Sequence, residues 1–326
     1  VSAMKIVSFL AALALAALVA FPRPAAADDA LTVVGGSTAT GFFEVLDLVA
    51  QQAGFFKEQH LTVDKQYSGN SAVAAQLVAS GKATIGSFAI EPILSGYEKG
   101  LHLTAFFSRD PHYFQVLAVL DSSPIKTLAE FKGAAIGEYT VGSAAEVPAN
   151  SELAGAGLRR SDYSYVPIGS GAQAISAMNS GKVAGVAFPY PELATYEAFA
   201  GQKYRYFWHP LLKDIGDDAF VASPATIRNK PDVLRRFCRA IVEAAILVRE
   251  NPNLAAKYFV AGSGGKLTAD EVAKYGRLLS ISQSMLAGYD PTSKRIGEMP
   301  LRGIEVLTKF MYDNGLTAQI VPASAI

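Results

Sequence analysis

Two stretches decide how this chain folds: Ser68-Gly69-Asn70-Ser71-Ala72-Val73-Ala74-Ala75-Gln76-Leu77-Val78-Ala79-Ser80-Gly81-Lys82, and Gly169-Ser170-Gly171-Ala172-Gln173-Ala174-Ile175-Ser176-Ala177-Met178-Asn179-Ser180-Gly181-Lys182. Each passes from a small polar loop through a helix-forming segment to the same Ser-Gly-Lys triplet, 100 positions apart. Before them lie the strand-like segments Leu61 to Tyr67 and Tyr163 to Ile168. After them lie the apolar strands Ala83 to Phe88 and Val183 to Phe188. A shared triplet is weak evidence; the same order of loop, helix, triplet and strand in both halves predicts two similar lobes. Strands alternating with helices predict a mostly parallel, doubly wound sheet in each.

The same order extends outward. Leu31 to Val34 is a short strand, Gly35 to Gly41 a small-residue loop, and Phe42 to Ala53 a helix with Phe43, Leu46, Val49 and Ala50 at helical spacing, stopped by Gly54. In the second half, Ala134 to Gly137 is a strand, Glu138 to Ser143 a loop, and a helix runs on to Leu153. The last third is mainly helical. Pro231 to Glu250 places Val233, Phe237, Ile241, Ala244 and Val248 on one face. Shorter helices are expected over Asn253 to Val260, Val272 to Leu279 and Pro300 to Asn314. Two apolar stretches, Phe114 to Leu120 and Ala219 to Ala222, flank the second unit and are expected to cross between lobes. The expected architecture is therefore α/β with two doubly wound lobes joined by two crossing strands. Residues 28–113 with 220–326 form lobe 1, and 114–219 form lobe 2. Two connections make a hinge.

With 326 residues, half of them hydrophobic and 18% charged, the chain can build a large core and is not a disordered polymer. Lys plus Arg equals Asp plus Glu at 29 each, without the basic surplus of a nucleic-acid binder. Cys238 is the sole cysteine, so neither an internal disulfide nor a cysteine zinc site can form, and the four scattered histidines argue against a histidine-rich metal site. No metal or cofactor is expected.

Residues 4–27 begin with Met4 and Lys5, continue as an apolar run from Ile6 to Phe21, break at Pro22 and Pro24, and end in Ala25-Ala26-Ala27. This is the pattern of a cleaved secretory signal peptide. The run falls short of the ~20 residues that span a bilayer. A mature protein of residues 28–326, exported to the periplasm, is expected.

Ligands of open α/β sheets bind beyond the C-terminal ends of strands, where helices begin. The four loops at such junctions carry Ser37, Thr38 and Thr40; Asn70 and Ser71; Tyr139, Thr140 and Ser143; and Ser170. Hydroxyls and free N–H groups at helix starts suit an anionic or strongly polar group; the plain alternative is that they are tight turns and caps. None of these loops holds Arg or Lys, which favours a monoanion, a zwitterion or a planar polar compound over a multiply charged anion. Phe88, Tyr139, Phe188 and Tyr190 lie close by and could stack on such a ligand. Glu91 and Glu192 read as solvated helix starts, Asp217-Asp218 as a surface turn, and Tyr204 to Trp208 as a packing run.

Several stretches resemble periplasmic substrate-binding proteins of ABC importers, in the group of aliphatic sulfonate-, taurine- and nitrate-binding proteins and thiamine-pyrimidine-precursor binders. They are Gly54-Phe55-Phe56-Lys57-Glu58-Gln59-His60-Leu61-Thr62-Val63, Leu77 to Gly86, Ile125 to Gly133 and Asn229 to Phe237. The resemblance implies a two-lobed type II binding protein closing on its ligand. It implies ligand contacts from Ser37 to Thr40, Ser87 to Ala89, Thr140 to Ser143 and Phe188 to Tyr190. The chain departs from the family pattern at Thr84, where Asp is common, and by lacking a cation in the loops. The expected function is a non-catalytic monomeric carrier that presents a small solute to a membrane permease. The alternatives are a ligand-sensing partner of a membrane receptor and an enzyme on the same fold, for which Cys238 has no neighbouring histidine in sequence.

Overall fold

The structure is a computed structural model. It describes residues 28–37, 41, 44–110, 113–211, 216, 218–286, 289–290 and 295–326. The expected signal peptide, Thr38, Thr40, Phe42, Phe43 and Asp217 lie outside the described residues.

Ten strands form two five-stranded sheets of the same topology. In chain order they are β1 (Asp29–Gly35), β2 (Leu61–Tyr67), β3 (Ile85–Ala89), β4 (Thr104–Ser108), β5 (Gln115–Leu120), β6 (Ala135–Glu138), β7 (Ser164–Pro167), β8 (Gly185–Pro189), β9 (Tyr204–Phe207) and β10 (Asp218–Ala222). The first sheet runs β2-β1-β3-β10-β4 and the second β7-β6-β8-β5-β9. β1 pairs in parallel with β2 and β3, as β6 does with β7 and β8.

Each sheet also holds one antiparallel strand. β10 runs against β3 and β4, and β5 runs against β8 and β9. The reason is geometric. A strand that follows a crossover helix enters its sheet from the far end. β5 and β10 have no such helix; they arrive from the other lobe and enter at the cleft end. Their first residues, Gln115 and Asp218, pair with the last residues of β8 and β3, Pro189 and Ala89.

Each sheet is covered on both faces, so its strands alternate between two cores. Leu31 and Val33 face one cluster with the helices Val45–Ala53 and Pro231–Glu250; Val34 faces the other, with the helices Ser71–Ala79 and Leu301–Asp313. The long amphipathic helix has the expected boundaries and buries Val233, Phe237, Ile241, Ala244 and Val248. Phe237 stacks on Phe56 and meets Phe220 edge-on. Cys238 lies beside this core, where burial pushes its thiol up to about 11. The two repeated helices end alike: Gly81 and Gly181 take φ +73° and +71°, the left-handed turn that a side chain would strain. Among the described residues no helix is long and apolar enough to cross a membrane.

Three sequence expectations are corrected. Glu91 is not solvated: it is buried at the start of the helix Glu91–Gly96 and accepts a hydrogen bond from the Tyr113 hydroxyl at 2.9 Å. Asp218 is not on a surface turn; it opens the buried strand β10. Glu192 is half-buried and accepts from the Tyr196 hydroxyl.

Candidate functional site

Between the sheets lies a cavity of about 80 Å³, lined from both lobes. At roughly 10–15 Å³ per water-sized position, it has room for several waters or for a small solute. β1 delivers Gly36 and Ser37 to it, β3 delivers Ser87 and Phe88, and the start of the helix Ser71–Ala79 delivers Asn70 and Ser71. Gly36 must be small here: a Cβ would come within 2.8 Å of Ser71 Oγ. The second lobe contributes Tyr139, Thr140 and Ser143 from the loop after β6. The Thr140 hydroxyl donates to the Gly69 carbonyl at 3.4 Å, a direct bond between the lobes.

Of the residues singled out from sequence, Ser37, Ser71, Ser87, Phe88, Tyr139, Thr140 and Ser143 line the cavity. Three are placed elsewhere. Phe188 is fully buried beneath Tyr139, stacked on it at 4.5 Å, and so supports that ring from behind. Tyr190 turns toward Tyr206 and Trp208, at 5.4 and 5.3 Å. Ser170 occupies the N-cap of the helix Gly171–Asn179 without a side-chain cap bond.

The cavity also holds residues that the sequence reading missed: Glu44, Arg109, Gln115 and Asp218. Arg109 follows β4, while Gln115 and Asp218 open the crossing strands. All three belong to connections that run along the cleft, and no strand-to-helix loop contains them. Their signal was the pair of crossing stretches already visible in the sequence, whose entry ends must face the cleft.

The charges are arranged tightly. Arg109 Nη1 donates to Asp218 Oδ2 at 3.2 Å, its backbone N–H to the Asp218 carbonyl at 2.9 Å, and its guanidinium lies over the Phe220 ring at 5.2 Å. Glu44 accepts from the Ser37 hydroxyl at 2.8 Å and the Gly41 N–H at 2.9 Å. Burial pushes the Glu44 carboxyl above the usual carboxylate range, with Lys65, Arg109 and Ser37 opposing it. Burial likewise raises Asp218 against the pull of Arg109 and Lys65. Lys65 is itself tied to Asp47. On the opposite wall, burial first and the nearby Glu192 second keep the Tyr139 phenol neutral.

Three lining residues are buried with a polar atom that has no hydrogen-bond partner among the described residues: Ser87 Oγ, Arg109 Nε and Gln115 Oε1. Their exposures are 2%, 4% and 7%. An orphaned buried polar group costs about 1–3 kcal/mol. A solute that supplied partners to these groups would recover that cost on binding.

Residues 45–255 match the model of the family described as NMT1/THI5 like. No curated protein matches the chain. Among solved structures, a protein from Bordetella bronchiseptica RB50 is 23% identical, with 91% of this chain and 93% of that one covered at a TM-score of 0.73. The alkanesulfonate-binding protein SsuA from Xanthomonas axonopodis pv. citri, bound to MOPS, is 16% identical over 92% and 98% at 0.67. The periplasmic aliphatic sulphonate binding protein SsuA from Escherichia coli is 18% identical over 91% of each chain at 0.65. These likenesses show a shared fold, that of the two-lobed periplasmic binding proteins.

Proposed function

The chain belongs to the NMT1/THI5 like family, and we propose that within it the protein is a periplasmic solute-binding protein, which captures a small organic solute between its lobes and delivers it to an ABC-type permease. The observation that carries this reading is the set of orphaned polar atoms on Ser87, Arg109 and Gln115, drawn from both lobes around one small cavity. Groups on two lobes meet a common ligand only when the lobes are close, so ligand shifts the open–closed equilibrium toward closure. The closed form is then what a permease can recognise. The signal-like residues 4–27 support export, and the names of the sulfonate-binding neighbours support transport.

A thermal-shift screen of the processed protein tests the reading, with sulfonates, nitrate, taurine, thiamine precursors, amino acids and aromatic carboxylates as probes. A ligand at a hundredfold excess over its Kd adds about 2.7 kcal/mol, which is a shift of several degrees. Native mass spectrometry of the same sample reports any solute carried through purification. A protein both empty and unresponsive would overturn the carrier reading.

A further inference from the structure

Taken with the proposed carrier role, the charges of the cavity narrow the class of solute. Arg109 is the only cation among the described lining residues, and it is already paired with Asp218. Both side chains of that pair are more than nine-tenths buried, at 4% and 7% exposure. A second carboxyl, Glu44, lies on the same wall, and both of its oxygens already accept protein donors. Lys65, behind the wall, is bound to Asp47. The facing wall of Gln115, Tyr139, Thr140 and Ser143 carries no charge.

An anion entering this site would lose its water and meet a guanidinium whose field is cancelled by a carboxylate within hydrogen-bonding distance. Burying a charge without an unspent counter-charge is strongly unfavourable. The groups left without partners are instead of mixed type: Arg109 Nε–H donates, Gln115 Oε1 accepts, and the Ser87 hydroxyl does either. That set matches a polar molecule with both donors and acceptors and no net charge.

We propose that the cavity rejects net anions, that its solute is a net-neutral polar molecule, and that Asp218 is the residue that sets this selectivity by occupying Arg109. A sulfonate or carboxylate lacking its own cation is excluded; an uncharged hydrogen-bonding solute or a zwitterion is admitted.

The test uses calorimetric titration of the processed protein and two variants, Asp218→Asn and Asp218→Ala, with methanesulfonate as the anionic probe and methanesulfonamide as its uncharged counterpart. The unaltered protein is expected to give no heat with methanesulfonate. Each variant, its fold checked by circular dichroism, is expected to bind methanesulfonate at least about tenfold more tightly than the unaltered protein, because removing the nearest like charge frees Arg109. Adding Arg109→Gln to either variant should abolish that gain. Methanesulfonate binding by the unaltered protein would overturn the proposal while leaving the carrier reading intact, as would folded variants with no gain. Should neither variant fold, the unaltered protein decides: preference for methanesulfonamide or for taurine over methanesulfonate supports the proposal, and the reverse preference or none overturns it. A protein that is also empty by native mass spectrometry and silent to the whole solute panel fails as a carrier, a result separable from failed charge selectivity.

Discussion

The two lobes share one frame and differ in the chemistry they turn toward the cleft. β3 and β8, and the helices Ser71–Ala79 and Gly171–Asn179, occupy positions 100 residues apart. The pairing registers make the equivalence residue by residue. Asp218 faces Ala89 as Gln115 faces Pro189; Val33 pairs with Lys65 and Ile85 as Ile136 pairs with Tyr165 and Gly185. At two equivalent positions the first lobe therefore carries a carboxylate and an ammonium where the second carries an amide and a phenol. The frame fixes where a side chain stands and leaves its charge free to vary. Of these, Asp218 and Gln115 line the cavity, so one wall holds the buried Arg109–Asp218 pair with the Lys65–Asp47 pair behind it, while the other, at Gln115, Tyr139, Thr140 and Ser143, is a neutral hydrogen-bonding surface.

The largest way to break this contrast is to remove one partner of the buried pair. Arg109→Ala leaves Asp218 buried and uncompensated and should cost about 3–5 kcal/mol in chemical denaturation. Gln115→Ala, across the cleft, should cost no more than about 1 kcal/mol, because its Oε1 has no partner among the described residues to lose. Equal costs would mean that the walls do not differ energetically.

The second lobe also buries a carboxyl, Glu152 of the helix Glu146–Gly155, whose two oxygens have no partner among the described residues. Burial pushes its pKa up to about 8. The folded protein then holds a proton that the unfolded chain releases near pH 4.5. The stabilisation is complete below that pH and is lost as pH rises toward 8, at up to about 1.4 kcal/mol per pH unit. Denaturation at pH 5 and pH 8 should show this fall, and Glu152→Gln should lessen it; burial and the neighbouring Glu146 push Glu138 up to about 8 as well, so part of the slope should remain. A slope unchanged in the variant would assign the effect to other groups.

Smaller effects sharpen the comparison at the cavity. Ser87→Ala removes an orphaned hydroxyl, so the empty protein should gain about 1 kcal/mol while its ligand-induced thermal shift shrinks. Thr140→Ala removes the bond to Gly69 between the lobes and should weaken solute binding about tenfold, equivalent to about 1.4 kcal/mol. A gain in the empty protein for Ser87→Ala, with none for Thr140→Ala, would separate the ligand-facing group from the lobe-bridging one.

The smallest test compares the paired helix starts. Asn70 accepts from the Val73 N–H at 2.9 Å, whereas Ser170 makes no side-chain cap bond. Asn70→Ala should cost about 1 kcal/mol and Ser170→Ala only a few tenths. Circular dichroism melts would resolve the difference.

Local pattern accounts for what could be read early. The repeated loop, helix, triplet and strand stand within about two residues of their expected places, because strand alternation and left-handed glycines are local signals. The edge strands Thr104–Ser108 and Tyr204–Phe207 were missed. They are short, and their aromatic residues pack as well in a loop as in a strand. The helix Tyr190–Ala200 was read only as a start at Glu192, without its extent, because its apolar residues surround it and show no clear face. At the cavity, the small polar residues of the strand-to-helix loops could be found by rule. Arg109, Gln115 and Asp218 follow no motif; they reach the cleft only because two strands enter their sheets from the opposite end.

The sequence by itself determined that this chain folds as two like α/β lobes, because period, turn residues and repetition act over short stretches. Only the tertiary structure decided which charges meet. Arg109 and Asp218 lie 109 positions apart and become partners through the crossing of the chain between lobes. Burial then gives that pair its weight, since an ion pair removed from water sets both the cost of breaking it and the charge of any solute that can lie beside it.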